Sequence, residues 1–379
     1  MLQMDKMIYF DHNATTHIID EVKLLACNHF EQLLNPSSIH SFGRNSRKLL
    51  EDARKQIAVA LGIKLGNGSY KILFASGGTE VNNLVINNFR DGVVLYSAAE
   101  HASVREVAET LPESFEIKVN KDGIIDFFSL EELLTLQKGK KILISVAVAN
   151  NETGIIQPVK KVVEMARKYG ALVHTDAVQA VGKIKFDIKD LDVDYVTISG
   201  HKIGGFVGVG ALVTRDHIKI IPQILGGGQE RSERAGTENV IGIISLAKAI
   251  EIAISNLDEY SNKMKYLRDI LEEEIENISP YSVISRVCDR IPNTSLIVLR
   301  GVSSDRQLIE FDLAGIAVSK GSACSSGKVR DSHLLQVMGY GKEITGSVIR
   351  VSLGKENTMD DVKRFIHVWK EIHAKRAIG

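Results

Sequence analysis

The sequence predicts an α/β fold built on a mostly parallel sheet flanked by helices, and three observations carry that expectation. Between residues 71 and 214, short apolar runs alternate with segments whose apolar positions recur at helical spacing. Polar clusters fall just after those runs, where an open parallel sheet presents its ligand-binding edge. Beyond a long helical stretch near 240–275 the pattern changes to that of a smaller α+β unit.

Taken in order, the N-terminal arm runs through Asp11-His-Asn-Ala-Thr-Thr16 into helices expected at 21–31 and 42–60, separated by the loop Asn35-Pro-Ser-Ser-Ile-His40. Strands are expected at 71–75, 93–97, 115–119, 142–149, 171–175, 195–199 and 209–214, with helices at 80–88 and 159–169 among the connections. The second unit is expected to hold strands near 282–287, 295–299, 317–319 and 348–352, and helices near 305–313 and 359–374. A boundary near Asn256 divides the chain into an arm (1–16) packing with the small domain, a large domain (17–256) and a small C-terminal domain (257–379).

The 379 residues suffice for one large domain and a smaller one, each with a core. A chain 44% hydrophobic and 25% charged belongs to neither the disordered nor the fibrous class. Formal net charge is zero, with no block of like charge, so nucleic acid is not expected as a principal partner. Cys27, Cys288 and Cys324 stand far apart, which suits neither a disulfide framework nor a structural zinc site and fits a reducing cytoplasm. No secretory signal is expected, because Asp5 and Lys6 interrupt residues 1–10. Residues 240–255 carry Lys248 and Glu251 and read as a buried helix, not a membrane span. No histidine shows metal-ligand spacing, so no metal is expected.

Val196-Thr-Ile-Ser-Gly-His-Lys202-Ile-Gly-Gly205 reads as a strand running into a glycine-flexed turn. A half-buried lysine there suits Schiff-base chemistry with an aldehyde such as pyridoxal 5'-phosphate (PLP), with Ser199 and His201 offering donors to its phosphate. Standing alone, it reads more simply as a surface lysine. Ser76-Gly-Gly-Thr79, between strand and helix, is a natural phosphate cradle, although a helix start needs the same residues. It lacks the Gly-Lys-Ser/Thr ending of a Walker loop, and the 204–210 glycine run lacks a dinucleotide-binding context.

Asp176 ends a strand and offers a carboxylate to a pyridinium nitrogen; an isolated strand-end Asp is more readily a helix cap. One helix plus one strand separates it from Lys202, which puts both at one sheet edge. His101 ends another strand, suited to stacking on a cofactor ring and carrying protons. Asn151 suits a phenolic oxygen or its own turn. Val318-Ser-Lys-Gly-Ser-Ala-Cys324-Ser-Ser-Gly327 places a thiol among small polar residues, the setting of a reactive cysteine. Arg350, inside a strand, suits a substrate carboxylate, although an ion pair is the routine role. Residues 226–239 read as a flexible surface loop.

Together these stretches resemble the cysteine desulfurases, PLP-dependent fold type I enzymes of the class V aminotransferase superfamily. The resemblance runs almost the whole length. It rests on Asp11–Thr16, Asn35-Pro-Ser-Ser38, Ser76–Glu80, Glu100-His101, Asn150-Asn-Glu152, Asp176-Ala-Val-Gln179, Ser199-Gly-His-Lys202, Arg234-Ala-Gly-Thr237 and Gly321-Ser-Ala-Cys-Ser-Ser326. The cysteine loop is similar to that of the group serving general iron–sulfur assembly and thiolation.

The resemblance implies that Lys202 holds PLP as a Schiff base, with Asp176 on the pyridinium and His101 over the ring. It implies Asn151 and Gln179 on the phenolic oxygen, and Gly78, Thr79, Ser199, His201 and Thr237 on the phosphate, the last from the other subunit of a homodimer. Arg350, with Asn151, would grip the carboxylate of L-cysteine. Cys324 would take the sulfur as a persulfide, releasing alanine, for an iron–sulfur scaffold or sulfur-carrier protein. One departure stands out: where the family reads Ile-Tyr-Gly-Pro-Lys-Gly after the lysine, this chain has Ile203-Gly-Gly205-Phe206-Val207-Gly208. The alternatives are a related PLP lyase or aminotransferase needing no thiol, and a non-catalytic sulfur-carrier scaffold.

Overall fold

A computed structural model describes residues 7–321 and 332–376. The chain enters through β1 (Ile8–Tyr9), α1 (Asp20–Cys27) and α2 (Ser41–Ala60). It then alternates through β2 (Tyr70–Ala75), α3 (Gly78–Asn87), β3 (Val93–Ser97), α4 (Ala102–Ala108) and β4 (Ser114–Ile117). The alternation continues with α5 (Phe127–Leu136), β5 (Ile142–Ser145), α6 (Val159–Lys168), β6 (Leu172–Asp176) and α7 (Ile188–Leu191). β7 (Tyr195–Ser199) and β8 (Gly210–Arg215) complete a seven-stranded sheet of order β2-β8-β7-β6-β5-β3-β4.

Neighbours from β7 through β4 are parallel, and β8 runs antiparallel to both β7 and β2. That single reversal leaves β2 pointing the same way as β7. The carboxyl ends of β2, β3, β5, β6 and β7 therefore share one edge of the sheet. Most of these strands are buried along their whole length, because helices cover both faces and a strand between them must be apolar on both sides.

The expected strand at 142–149 stops at Ser145. An isolated antiparallel bridge between Ala149 and Ile156 closes the turn through residues 150–154 and draws the chain off the parallel ladder. Val146 and Val148 still donate to the carbonyls of His174 and Asp176 (3.1 and 2.9 Å), so the run stays bonded to the β6 side past its last strand residue.

The long helix expected near 240–275 is two helices, α8 (Val240–Ser255) and α9 (Leu257–Ile278), bent by 69° at Asn256. α8 is apolar almost all round and packs into the core beneath the large sheet. α9 is amphipathic and turns Met264, Leu267, Leu271 and Ile275 into a second core. Two different burial demands meet at residue 256, and the bend satisfies both. Among the described residues, no single helix is long and apolar enough to cross a membrane.

The second core lies against a three-stranded antiparallel sheet of order β11-β12-β9. The elements after α9 are β9 (Thr294–Val298), α10 (Ser304–Leu313), β10 (Ile316–Ala317), β11 (Ser319–Lys320), α11 (His333–Val337), α12 (Lys342–Thr345), β12 (Val348–Ser352) and α13 (Met359–Arg376). Two expectations are corrected here. Residues 282–287 form no strand, only a bridge from Val283 to Ile297, because left-handed backbone at Tyr281 and Ser285 (φ 61° and 56°) turns the chain away on both sides. The run at 317–319 splits at Val318. β10 pairs in parallel with β1 of the arm, whereas β11 pairs with β12. Phe10 of the arm meets Phe365 edge-on at 5.9 Å, and Phe365 stacks on Phe311 at 4.7 Å.

Candidate active site

The turns after β2, β3, β5, β6 and β7 surround a cavity of about 450 Å³ at the shared sheet edge. Gly78, Thr79, His101, Asn151, Asp176, Gln179, Ser199, His201, Lys202 and Arg350 all line it. Thr237 does not. It is exposed and borders a separate cavity of about 90 Å³ beside Ser76 and Arg234. Cys324 lies outside the described residues.

β7 delivers Lys202 through one turn of 3-10 helix at Gly200–Lys202. The half-buried Nζ donates to the main-chain carbonyls of Asn13 and Ala14, each at 2.6 Å. Those carbonyls belong to the Asp11–Thr16 turn of the arm, so this motif's first visible job is to receive the lysine. The family departure begins next to it. Gly204 has φ +85°, and a Cβ there would sit 2.5 Å from Ile19 Cγ1, so this turn excludes any side chain at residue 204. Val207 is exposed.

The amino end of α3 abuts the start of β8 because glycine allows it. A Cβ on Gly210, which faces both Ala75 and Ser199 across the ladders, would lie 2.8 Å from Gly77 Cα. No side chain caps α3, so its first N–H groups meet the cavity beside Ser199 and His201. That is an anion site by geometry and dipole. His201 has its pKa pulled down to about 4, by burial first and then by the Lys202 charge, so it offers a neutral ring near neutral pH.

Asp176 is buried at the end of β6. Its Oδ1 accepts from Val178 N (2.9 Å) and its Oδ2 from Asn82 Nδ2 (2.8 Å). Asn82 also donates to Ser103 Oγ (2.8 Å), which lies 2.8 Å from His101 Nδ1. His101 Nδ1 accepts the Ser103 backbone N–H at 3.1 Å as it caps α4, which assigns the ring proton to Nε2. One chain of hydrogen bonds thus runs from the carboxylate to the imidazole. Asn82 gave no motif of its own; only its spacing, two residues past Glu80 on a helix starting at the cradle, hinted that it faces inward.

Glu100, also missed as a site residue, lies beneath this chain. Burial, and then the charge of Asp176, push its pKa up to about 8. Ser145 Oγ donates to its Oε1 (2.9 Å) and also meets His174 Nδ1 (2.8 Å), while burial drops the His174 pKa to about 3. A carboxyl held neutral beside a charged one leaves the negative charge to Asp176. The folded form of Glu100 holds its proton between roughly pH 4.5 and 8 while the unfolded form has lost it, so stability falls as pH rises through that window. The Glu100→Gln variant lacks this liability. Its melting temperature minus that of the wild type is expected to grow from pH 5 to pH 8, and a flat difference would show that Glu100 ionises in the folded protein.

Asn150, not Asn151, holds the 150–154 turn, since its Oδ1 accepts from Glu152 N and Thr153 N (2.8 and 2.9 Å). Arg350 makes the routine ion pair, Nη2 to Asp11 Oδ1 at 2.6 Å, and donates from Nη1 to Asn151 O at 3.1 Å. It is nonetheless a cavity residue, and its buried Nε has no hydrogen-bond partner among the described residues.

The Aminotransferase class-V family model matches residues 8–365. A cysteine desulfurase IscS of Dictyoglomus turgidum is 39% identical over 98% of this chain and 96% of its own length. This chain belongs to the cysteine desulfurase family. The solved structure of a NifS-like protein from Rickettsia africae superposes with a TM-score of 0.93 at 42% identity, covering 97% of this chain and 99% of that one. A structure of SspA in complex with cysteine aligns with a TM-score of 0.77 at 26% identity, over 91% and 98% of the two chains. Cysteine desulfurases are PLP-dependent, and the seven-stranded, mostly parallel sheet with a smaller α+β part is their fold type I architecture.

The donor set fits that cofactor. An uncapped helix start for a phosphate, a buried carboxylate for a ring nitrogen and an amine for an aldehyde surround a space in the usual range for small-molecule sites. Two buried polar atoms of cavity residues, Asn82 Oδ1 and Arg350 Nε, also lack partners among the described residues, as expected where a ligand supplies them.

Proposed function

We propose that this protein takes sulfur from L-cysteine, using PLP held by Lys202, and carries it on Cys324. The observation that carries the reading is the convergence of Lys202, Asp176 and the uncapped start of α3 on one cavity. Bound PLP supplies an electron sink that weakens bonds at the α- and β-carbons of an attached amino acid.

The chain's own residues do the rest. Gly78, Thr79, Ser199 and His201 bind the phosphate, joined by Thr237 from the second subunit of a homodimer. Asp176 keeps the ring nitrogen protonated, His101 stacks on the ring, and Asn151 and Gln179 meet the phenolic oxygen. Arg350, with Asn151, orients the substrate carboxylate, and its Nε, without a partner among the described residues, gives it a direction to bond. Lys202 Nζ, once released from the aldehyde, moves a proton at the substrate Cα.

Cys324 attacks the substrate sulfur as a thiolate. An S–S bond forms as the Cβ–S bond breaks, its electron pair stays with carbon, and protonation there yields alanine. Gly321, three residues before Cys324, and Ser332 both border Glu152, the neighbour of cavity residue Asn151. The Glu152 Oε2 lies 3.3 Å from an ideal Gly321 Cβ and accepts from Ser332 Oγ at 2.5 Å. The approach of both flanks to the cavity rim supports Cys324 as the acceptor.

We read the molecule as an arm (1–16), a large domain (17–256) and a small domain (257–379), supported by the bend at Asn256 and by a core around α9 and α13 distinct from the core of the large sheet, with a further cluster of Ala98, Val119 and Ile155 against Leu296 and Leu335 packing the two domains together. The persulfide passes to an iron–sulfur scaffold or sulfur-carrier protein in the cytoplasm. The cysteine bound by SspA supports the substrate assignment. Adding L-cysteine to PLP-loaded protein is expected to give one sulfane-sulfur adduct on the Cys324 peptide for each alanine released, measured by mass spectrometry and amino-acid analysis. Alanine without the adduct, or neither product, overturns the reading.

A further inference from the structure

Lys183 is a lysine sealed inside the protein, 4% exposed, on the segment that follows Asp176 and Gln179. Its Nζ donates to Asn13 Oδ1 at 2.9 Å and to Gln179 Oε1. Among the described residues no carboxylate pairs with it, and the charges that face it are those of Lys202 and Arg350. A buried lysine without an acid is costly to keep and calls for a local use.

Its two acceptors are both side-chain amides, and both line the wall of the cavity. An amide can turn either its oxygen or its NH₂ to a neighbour, and the partner decides. Because Lys183 offers hydrogens, Gln179 must turn its oxygen inward and its NH₂ toward the cavity. There one Nε2 hydrogen goes to the Asn13 main-chain carbonyl at 3.0 Å, the same oxygen that receives Lys202 Nζ at 2.6 Å. Asn13 is oriented likewise: its Oδ1 takes Lys183 and Asn293 Nδ2 (3.2 Å), while its Nδ2 donates to Thr294 Oγ1 (2.8 Å) and Asn151 O (3.2 Å).

We propose that Lys183 is a positioning residue for the cofactor: it locks the Gln179 amide, directly and through its hold on Asn13, so that the cavity meets the remaining Gln179 N–H donor beside Lys202. This rests on the PLP reading above, in which the Gln179 NH₂ faces an anionic phenolic oxygen. A reversed amide would set its own oxygen against that anion. Burial, and then the charges of Lys202 and Arg350, lower the Lys183 pKa well below that of free lysine. The two donations persist in either protonation state, since an uncharged amine still carries two hydrogens.

The test is an absorbance titration of the visible cofactor band in PLP-loaded wild type, Lys183→Met and Lys183→Gln, with PLP affinity measured by equilibrium dialysis. Lys183→Met is expected to move the pH midpoint of the band upward by about one unit and to weaken PLP binding about tenfold. Lys183→Gln keeps a donor toward both oxygens and is expected to stay near the wild-type midpoint. Gln179→Met is expected to shift the midpoint as Lys183→Met does, with no further shift when the two are combined, and it gives the answer even if Lys183→Met does not fold. A wild-type midpoint in Lys183→Met or in Gln179→Met overturns the proposal, as does Lys183→Gln shifting as far as Lys183→Met. A wild-type protein that takes up no PLP and shows no visible band is a distinct result and removes the cofactor reading itself.

Discussion

Lys202→Ala is expected to yield a folded protein that, loaded with PLP, lacks the visible Schiff-base band and converts L-cysteine to alanine at least about 10³-fold more slowly. The fold should survive, because Lys202 is half-buried and the hydrogen bonds it makes to Asn13 O and Ala14 O are both to main-chain carbonyls at a cavity edge. Those bonds are worth roughly 1–3 kcal/mol together. The chemistry should not survive. The amine both anchors the aldehyde and shuttles the Cα proton, so one substitution removes two functions. Lys183 does not replace it, since its Nζ is sealed in the protein and committed to Asn13 and Gln179. Absorbance spectra and alanine release check the outcome; a variant retaining both band and turnover would show that residue 202 is an ordinary lysine at a cavity mouth.

Cys324→Ser is expected to separate cofactor binding from sulfur transfer. The visible band should match the wild type, because every residue assigned to PLP lies on other segments. Sulfane sulfur on the protein should fall to background, since a hydroxyl cannot form the S–S bond and is hardly ionised at neutral pH, whereas a thiol with a pKa of ~8.5 is a few per cent thiolate. An aminotransferase or thiol-independent lyase would lose little. Persistent turnover in this variant would therefore move the protein to one of those classes without touching the Lys202 assignment.

Most of the cavity's inner surface was legible in the sequence, and the reason is periodicity. Once β2, β3, β5, β6 and β7 are read as strands of one direction, Ser76–Thr79, His101, Asn151, Asp176 and Lys202 fall at one edge without any knowledge of side-chain contacts. Arg350 was legible as an odd charge in an apolar strand, but its partner Asp11 lies 339 residues away and no pattern joins them. The strands that went wrong are those whose ends are set by turns and partners that no apolar run records: β5 yields to the local bridge of Ala149 to Ile156, left-handed backbone at Tyr281 and Ser285 breaks the 282–287 run, and the 317–319 run divides because its halves have different neighbours, β1 and β12.

By itself, then, the chain's order of residues determined which chemical groups gather at the site, since alternating apolar runs dictate strand direction and strand direction dictates which turns share an edge. Tertiary structure alone decided how those groups are held. Asn82 reaches Asp176 across 94 residues, and Lys183 reaches Asn13 across 170. Whether a buried carboxyl such as Glu100 keeps its proton also depends on what surrounds it. Orientation and charge at a buried site are set by the few ångströms around each polar atom, and that distance exists only after folding has brought remote segments together.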